Sequence, residues 1–355
     1  MNRLFWTAPF RRRDVSVLDT PTVAGVSFHQ RRSPEKVCRA DEQVALGRPG
    51  DAEVLRRHRE WGFESSERSG LVVLSDARLQ LPESLTVVRG RRLRELVHDD
   101  WYMRGPRQIC VEALTVVLPA RPTADAILAT LTGYRNYYHW IIEQLPRLSV
   151  VLDDPTLDGL RVAVPKNAPP FLFETLNRIG LGERLAPMPD GVWRFNRLYA
   201  PTRIAHAADV TAGQVAWICA ALGVGTPARR DRRIFVSRRD AGSRWVASEE
   251  TLAPALSRFG VETVVLTGMT VADQAALFAE CELVVGPHGA GLANVVFCMP
   301  GATLLEIFPA TYFNKAYGSL AAAKRLRYGF MTGPMKQGAI HVDVGALEAL
   351  IGRVT

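Results

Sequence analysis

The stretch Val284-Val-Gly-Pro-His-Gly-Ala-Gly-Leu-Ala-Asn-Val-Val-Phe297 decides how the chain is read. With Leu283 before it, its start has the apolar character of a short buried strand. A Gly/Pro-rich turn follows, and the apolar residues beyond Gly291 restart as a helix. Strand, glycine turn and helix together leave backbone N–H groups at the helix N-terminus, where an anion such as a phosphate is well held. Gly289 and Gly291 admit a ligand close to the backbone, and either can take φ > 0. His288 belongs to the same mouth; its ring titrates near neutral pH and can donate to a phosphate or sugar oxygen. An ordinary strand-to-helix turn with a capping histidine satisfies the same pattern, so its surroundings must decide.

Those surroundings are regular. Arg233-Ile-Phe-Val-Ser237 is a strand that runs into Arg238, Arg239, Asp240 and Arg244. Ser248, with Glu250 and Thr251, opens a helix to Phe259; Val261–Leu266 is a strand and Val271–Glu280 a helix. Beyond the turn, Thr303–Phe308 is a strand containing Glu306, and a helix spans roughly 314–324. Alternation at this spacing describes a doubly wound, Rossmann-like domain, whose ligands bind beyond the carboxyl ends of the strands. Residues 237–244, 286–291 and 306–309 all fall at such ends.

Toward the N-terminus the pattern is looser. Residues 1–70 read as an irregular segment with one helix around Asp51–Trp61. Leu71–Leu74 and Ile109–Leu118 read as strands, the second by its alternation and β-branched content. Ala126–Leu131 is a strand. Asn136 then caps a helix through Leu148 on which His139 and Glu143, four apart, share a face. Arg135 and Arg147 flank that pair, and Pro146 limits the regular helix. Strands at 160–165 and 198–201 and a helix from Phe171 to Ile179, ended by Gly180, make 71–222 a second α/β domain. A helix from Thr211 to Leu222 closes it, residues 223–232 read as a linker, and 233–355 is the Rossmann-like domain.

The chain has 355 residues, 47% of them hydrophobic and 23% charged, values typical of globular proteins. No apolar run reaches the roughly 18 to 20 residues of a membrane span. The few apolar residues of Met1–Asp14 precede Arg11-Arg12-Arg13, the reverse of a signal peptide, so a cytoplasmic setting is expected. Five dispersed cysteines without a CxxC pair fit reduced core thiols. The net charge of +8, largely from arginine, suits a polyanionic partner. No nucleic-acid signature accompanies it, so phosphorylated substrates and peripheral contact with anionic membrane rank ahead of nucleic acid.

Five motifs in order carry a resemblance. They are Asn136-Tyr-Tyr-His-Trp with Glu143 and Leu145-Pro-Arg-Leu148; Ile234-Phe-Val-Ser-Arg-Arg with Arg244; Asp273-Gln274 with Leu277-Phe278; Gly286-Pro-His-Gly-Ala-Gly-Leu-Ala-Asn294 with Phe297; and Leu305-Glu-Ile-Phe-Pro309. Over roughly residues 126–330 the chain resembles glycosyltransferase family 61. The resemblance implies a GT-B architecture, two Rossmann-like domains facing across a cleft. It also implies inverting, metal-independent transfer from a nucleotide-sugar donor to a cell-surface polysaccharide or other glycan, on a lipid-linked or free acceptor, in a bacterium. No D-x-D triplet occurs, so neither a metal nor another cofactor is expected. Ser248-Glu249 departs from the Asn-Glu often found in the family; serine can still cap the helix.

Roles follow from the resemblance. Arg238 and Arg244, with Arg239 as a weaker candidate, bind donor phosphates, helped by His288 and the N–H groups of Gly289, Ala290 and Gly291. Asn294 contacts the donor or only braces the turn, and Glu306 accepts from ribose hydroxyls or pairs with an arginine. On the acceptor side His139 is the base oriented by Glu143, or Glu143 is the base itself. Asn136, Tyr138, Trp140 and Arg147 line the acceptor region, although aromatics at these positions also suit a core. A glycan-binding protein without turnover and a polysaccharide pyruvyl transferase are the competing readings.

Overall fold

The computed structural model describes residues 14–15, 24–38, 66, 69–93, 96, 111, 114–205, 207–223 and 225–355. The helix expected around Asp51–Trp61 and Cys110 lie outside them. The chain forms two compact units: Met1–Glu35 with Ser65–Ala207, and Lys36–Glu64 with Ala208–Thr355. Among the described residues no helix is long and apolar enough to cross a membrane.

In the first unit β1 (Asp14–Val15) pairs with β5 (Arg92–Leu93). The main sheet contains β2 (Val26–Arg32), β3 (Ser69–Leu81), β4 (Leu85–Val88), β6 (Arg121–Thr123), β7 (Ala126–Leu128), β8 (Arg161–Pro165), β9 (Leu185–Met188) and β10 (Gly191–Pro201). Its order is β2-β3-β10-β7-β8-β9, with β4 beside β3 and β6 beside β10. The run from β10 through β7 and β8 to β9 is parallel, as alternating strands and helices predict. The other half is antiparallel: β3 and β10 pair from Leu71↔Pro201 to Leu81↔Gly191. The first unit is thus a mixed sheet, not the doubly wound parallel one expected. The reason lies in β3 and β10, 13 and 11 residues long, whose outward polar positions pair across the ladder, as Arg194 Nε does with Asp76 at 2.5 Å. Residues 126–131 contribute only a three-residue strand.

The expected strand over Ile109–Leu118 is corrected: Val111 and residues 114–117 are helical, with the Leu118 N–H donating to the Leu114 carbonyl at 2.9 Å. Val111 and Val116 pack on Leu85 and Val87. The alternation that suggested a strand is spread around a helix, leaving Leu114, Val117 and Leu118 exposed.

Residues 137–152 form one helical rod, α1, that changes its winding. Asn136 caps it, its side-chain oxygen accepting from the Tyr138 N–H at 2.9 Å. His139–Gln144 is wound as a π-helix, the Leu145 N–H reaching the Trp140 carbonyl. Leu145–Leu148 then tightens to a 3₁₀ turn around Pro146, and Ser149–Leu152 returns to α. Pro146 therefore changes the winding without ending the rod, since a wider turn followed by a tighter one absorbs its missing N–H. α2 is Pro170–Arg178, closed by Gly180 at φ +83°.

The second unit is organised around a five-stranded parallel sheet: β11 (Arg232–Val236), β13 (Val261–Val264), β14 (Cys281–Pro287), β15 (Thr303–Pro309) and β16 (Arg327–Gly333). The short strands β12 (Trp245–Val246), β17 (Met335–Lys336) and β18 (Ala339–Ile340) make a separate ribbon. The helices are α3 (Ala212–Ala221), α4 (Ala253–Arg258), α5 (Val271–Ala279), α6 (Ala316–Lys324) and α7 (Val344–Gly352). The order β13-β11-β14-β15-β16 puts the first strand between the second and third, the doubly wound pattern expected. Every residue of β15 is buried, Glu306 among them, as parallel strands covered on both faces require. The unit begins ahead of residues 223–232: α3, capped by a Thr211–Gln214 capping box, packs on the helix following β14 and on α6. Phe235, Val285, Leu305, Ile307 and Leu347 lie in its core.

Candidate active site: an arginine–glycine pocket and a histidine–glutamate pair

The sheet order places a topological switch point between β11 and β14, because the chain leaves β11 toward β13 and later returns to its other side. A cavity of about 210 Å³ opens there, lined by Val236, Ser237, Arg238, Asp240, Leu266, Thr267, Pro287, Gly289, Gly291 and Leu292. The residues singled out at the ends of these strands are thus neighbours. Gly286 and Gly291 are needed for close packing: a Cβ on the first would meet Val236 and Leu292 at 3.2 Å, and one on the second Leu266 at 3.1 Å. Neither Gly289 nor Gly291 has the positive φ that was expected of either; Gly289 is extended, at φ 175°. Its role is to leave room, for the Arg238 guanidinium fills the space that a Cβ on Gly289 would need.

Arg238 Nη2 donates to the Ser243 carbonyl at 3.0 Å, while its Nε is buried without a hydrogen-bond partner. Burial, and then the nearby Arg244, hold its guanidinium below the usual arginine range. Arg244, at φ +62°, lies over the Tyr312 ring at 5.4 Å. Among the described residues neither arginine forms an ion pair with a carboxylate. Two adjacent guanidinium groups without a paired acid make a site for an anion. Arg239 is exposed and does not line the cavity.

His288 is buried and does not line the cavity. Its Nδ1 pairs with Glu306 Oε1, and its ring stacks on Phe308 at 5.1 Å and sits 5.2 Å from both Tyr312 and Tyr317. The second Glu306 oxygen accepts from the Tyr328 hydroxyl at 2.7 Å. The carboxylate is fully buried and engaged on both sides, so it orients His288 and is not placed for a ribose or an arginine. Tyr317 donates to the Gly289 carbonyl and so ties the glycine turn to α6. Asn294 is buried and donates to Gln274 at 2.6 Å and to the Gly291 carbonyl at 3.0 Å. It braces the turn.

In the first unit His139 Nδ1 and Glu143 Oε2 are 2.8 Å apart, the histidine side chain 30% exposed and the glutamate 9%. An ionised Glu143 fixes the proton on Nδ1 and leaves Nε2 as the basic ring nitrogen. Tyr138 is edge-on to the His139 ring at 5.6 Å. Gln144 secures the base of this helix, accepting from the Leu131 N–H at 2.8 Å and donating to the Thr132 carbonyl at 3.1 Å. Trp140 is wholly buried and donates to Thr175 Oγ1 at 2.8 Å, so it belongs to the core and lines no acceptor surface. Arg147 is likewise internal: it donates to the carbonyls of Gln144, Pro201 and Ala129, and burial lowers its pKa to about 9.

Ser248 does not cap the helix after the arginine turn. It sits at φ 51° with no side-chain cap, and its carbonyl accepts from Thr251. Among the described residues no three His, Cys, Asp or Glu side chains converge as a metal site requires. Gln144, Tyr317 and Tyr328 were missed in the sequence; each acts on a residue at least twelve positions away in the chain.

Residues 137–305, from the first turn of α1 to the middle of β15, match the family model described as Glycosyltransferase 61. This segment is similar to glycosyltransferase 61 domains. It contains His139, Glu143, Arg238, Arg244 and the whole glycine turn, while Glu306 follows its last matched residue. Two plant proteins are similar to part of this chain. A Beta-1,2-xylosyltransferase of Arabidopsis thaliana is 30% identical over 94 residues, 26% of this chain and 17% of its own length. The β-1,2-xylosyltransferase XAX1 of Oryza sativa subsp. japonica is 34% identical over 110 residues, 29% of this chain and 19% of its own. The matched stretch of this chain thus spans less than a fifth of either relative.

Proposed function

We propose that this protein is a glycosyltransferase that moves a sugar from a nucleotide-sugar donor to a glycan acceptor, with inversion and without a metal. The observation that carries the proposal is Arg238 against the glycine turn at the switch point, with Arg244 near it, inside the segment that matches the Glycosyltransferase 61 model. As the bond from the anomeric carbon to the diphosphate breaks, its electron pair passes to the departing phosphate oxygen. Preorganised guanidinium and backbone N–H groups stabilise that charge, the task a metal performs in other transferases. The acceptor oxygen attacks the anomeric carbon and gives its proton to His139 Nε2, with Glu143 holding the ring and stabilising the imidazolium. The GT-B division of labour, donor on the second unit and acceptor activation on the first, is part of the same proposal. So is a place at the cytoplasmic face of a bacterial membrane, supported by the net charge of +8.

The test is a thermal-shift and calorimetric titration with UDP, GDP, CMP and their sugar conjugates, with and without EDTA. UDP-xylose is the first sugar conjugate to assay, given the names of the two plant relatives. A rise in stability with one nucleotide, insensitive to EDTA, is expected from ligand linkage. A response to phosphoenolpyruvate alone would replace the proposal with pyruvyl transfer.

A further inference from the structure

The cavity at the switch point has a wall that the arginines do not explain. Asp240 and Thr267 both line it, and Thr267 Oγ1 donates to Asp240 Oδ2. Asp240 comes from the loop after β11 and Thr267 from the loop after β13, so the bond ties two strand ends together. It also uses only one carboxylate oxygen. Around this polar corner the lining is apolar: Val236, Leu266, Pro287 and Leu292. Asp240 acts on the Arg238 guanidinium through its charge but forms no direct ion pair with it among the described residues, so its second oxygen remains to accept from a ligand.

We infer that Asp240 is the ribose-recognition residue of the donor site, its carboxylate accepting from the vicinal hydroxyls of the nucleotide while Thr267 holds it in place. The inference rests on the nucleotide-sugar reading above. Three observations carry it: position, chemistry and size. At the switch point of a doubly wound sheet a nucleotide lies across the carboxyl ends of the strands. The diphosphate goes to the glycine turn and the ribose to an acidic residue on a neighbouring strand end. Here the anion-binding side is Arg238 against Gly289, and Asp240 lines the same cavity. A carboxylate repels a phosphate but accepts two hydroxyl hydrogens, so one cavity offers separate places for the charged and the hydroxylated parts of one ligand. At about 210 Å³ the cavity is smaller than the ~300–1,000 Å³ of a complete small-molecule site. It therefore takes part of the donor and leaves the remainder outside it.

The competing role for Asp240 is a loop tie, and the two roles separate experimentally. Calorimetric affinities are measured for the full chain, its Asp240→Asn variant and its Thr267→Val variant. The probes are UDP, GDP and CDP, the 2′,3′-dideoxy form of whichever binds, and inorganic pyrophosphate. Asn keeps the acceptor for Thr267 but loses the charge. Hydrogen bonds to charged groups are worth about 1.5–3 kcal/mol, so Asp240→Asn is expected to weaken the ribonucleotide about 10- to 100-fold. Pyrophosphate binding is expected to stay within about threefold. The dideoxy form should bind wild type as weakly as the ribonucleotide binds Asp240→Asn, and the variant should no longer distinguish the two. Equal losses for nucleotide and pyrophosphate, or a variant that still prefers the ribonucleotide, would overturn the assignment. Thr267→Val, which frees the carboxylate to move, should weaken the ribonucleotide and spare pyrophosphate; a variant that loses both equally would mark a loop tie and overturn the assignment. Wild type that binds pyrophosphate but no nucleotide would defeat the nucleotide-sugar reading itself, and this assignment with it.

Discussion

The guanidinium of Arg238 occupies the space in which residue 289 would carry its Cβ, so the identity of one residue sets the position of the other. Gly289→Ala is therefore expected to displace Arg238 while leaving the sheet intact, because the displaced group is the far end of a flexible side chain. Nucleotide affinity should fall about 10- to 100-fold, the worth of one charged hydrogen bond. Combining Gly289→Ala with Arg238→Ala should cost little more than either alone, since both remove the same contact. Calorimetry on the three variants checks this; additive losses would show that the glycine serves another purpose.

Arg244→Ala is expected to weaken nucleoside diphosphate more than nucleoside, since its role is charge. Raising the salt concentration should shrink the difference between wild type and variant, as screening predicts for groups that remain partly exposed. A variant with unchanged diphosphate affinity at low salt would remove Arg244 from the donor site.

The 2.8 Å pairing of His139 with Glu143 predicts distinct losses for the two partners. His139→Ala should lower kcat at least ~10²-fold, in the range of general-base removal. Glu143→Gln keeps a hydrogen-bond acceptor but not the charge, so a smaller loss and a lowered apparent pKa of the base are expected in the pH–rate profile. A full loss in Glu143→Gln with His139→Ala nearly active would make the glutamate the base.

Burial pushes the Cys281 thiol up to about 12. In the unfolded chain the same thiol ionises near its ordinary value, so between those two values the unfolded state has lost a proton that the fold retains. The stabilising contribution is complete below the unfolded pKa and is lost as the pH rises through this window. At pH 10, under reducing conditions, the wild type should be less stable than at pH 7 by about 1.4 kcal/mol from this group, the value of one pKa unit. Cys281→Ala starts lower because it leaves a small void, but should lose less between the two pH values. Urea unfolding at each pH measures the difference.

What the sequence made legible was local. The apolar run before Gly286 and the glycines after it specify strand, turn and helix within fifteen residues, and Thr211 and Asn136 announce helix starts through neighbouring N–H groups. The parallel sheet of the second unit followed from that periodicity. Glu306 is a different case: a carboxylate inside an apolar strand signals a buried partner, but the choice of His288 and Tyr328 depends on sheet neighbours. Trp140 and Arg147 were misplaced for a related reason. In an α-helix a face is read by counting, but the π and 3₁₀ turns between His139 and Leu148 shift that count. The antiparallel pairing of β3 with β10 joins segments more than a hundred residues apart, a distance over which periodicity carries no information.

The chain passes between its two units at residues 35–36, 64–65 and 207–208, and this has a consequence for synthesis. Val37 bridges to Thr211, and the Cys38 N–H donates to the Val210 carbonyl at 2.8 Å. During translation this early segment emerges long before the partners that complete it, while β3 must wait for β10 before its sheet closes. Domains usually fold in turn as they leave the ribosome. Here the second unit includes a piece of chain made before the first unit is complete, so vectorial folding is interrupted. Neither unit can be completed by simply releasing one end of the polypeptide.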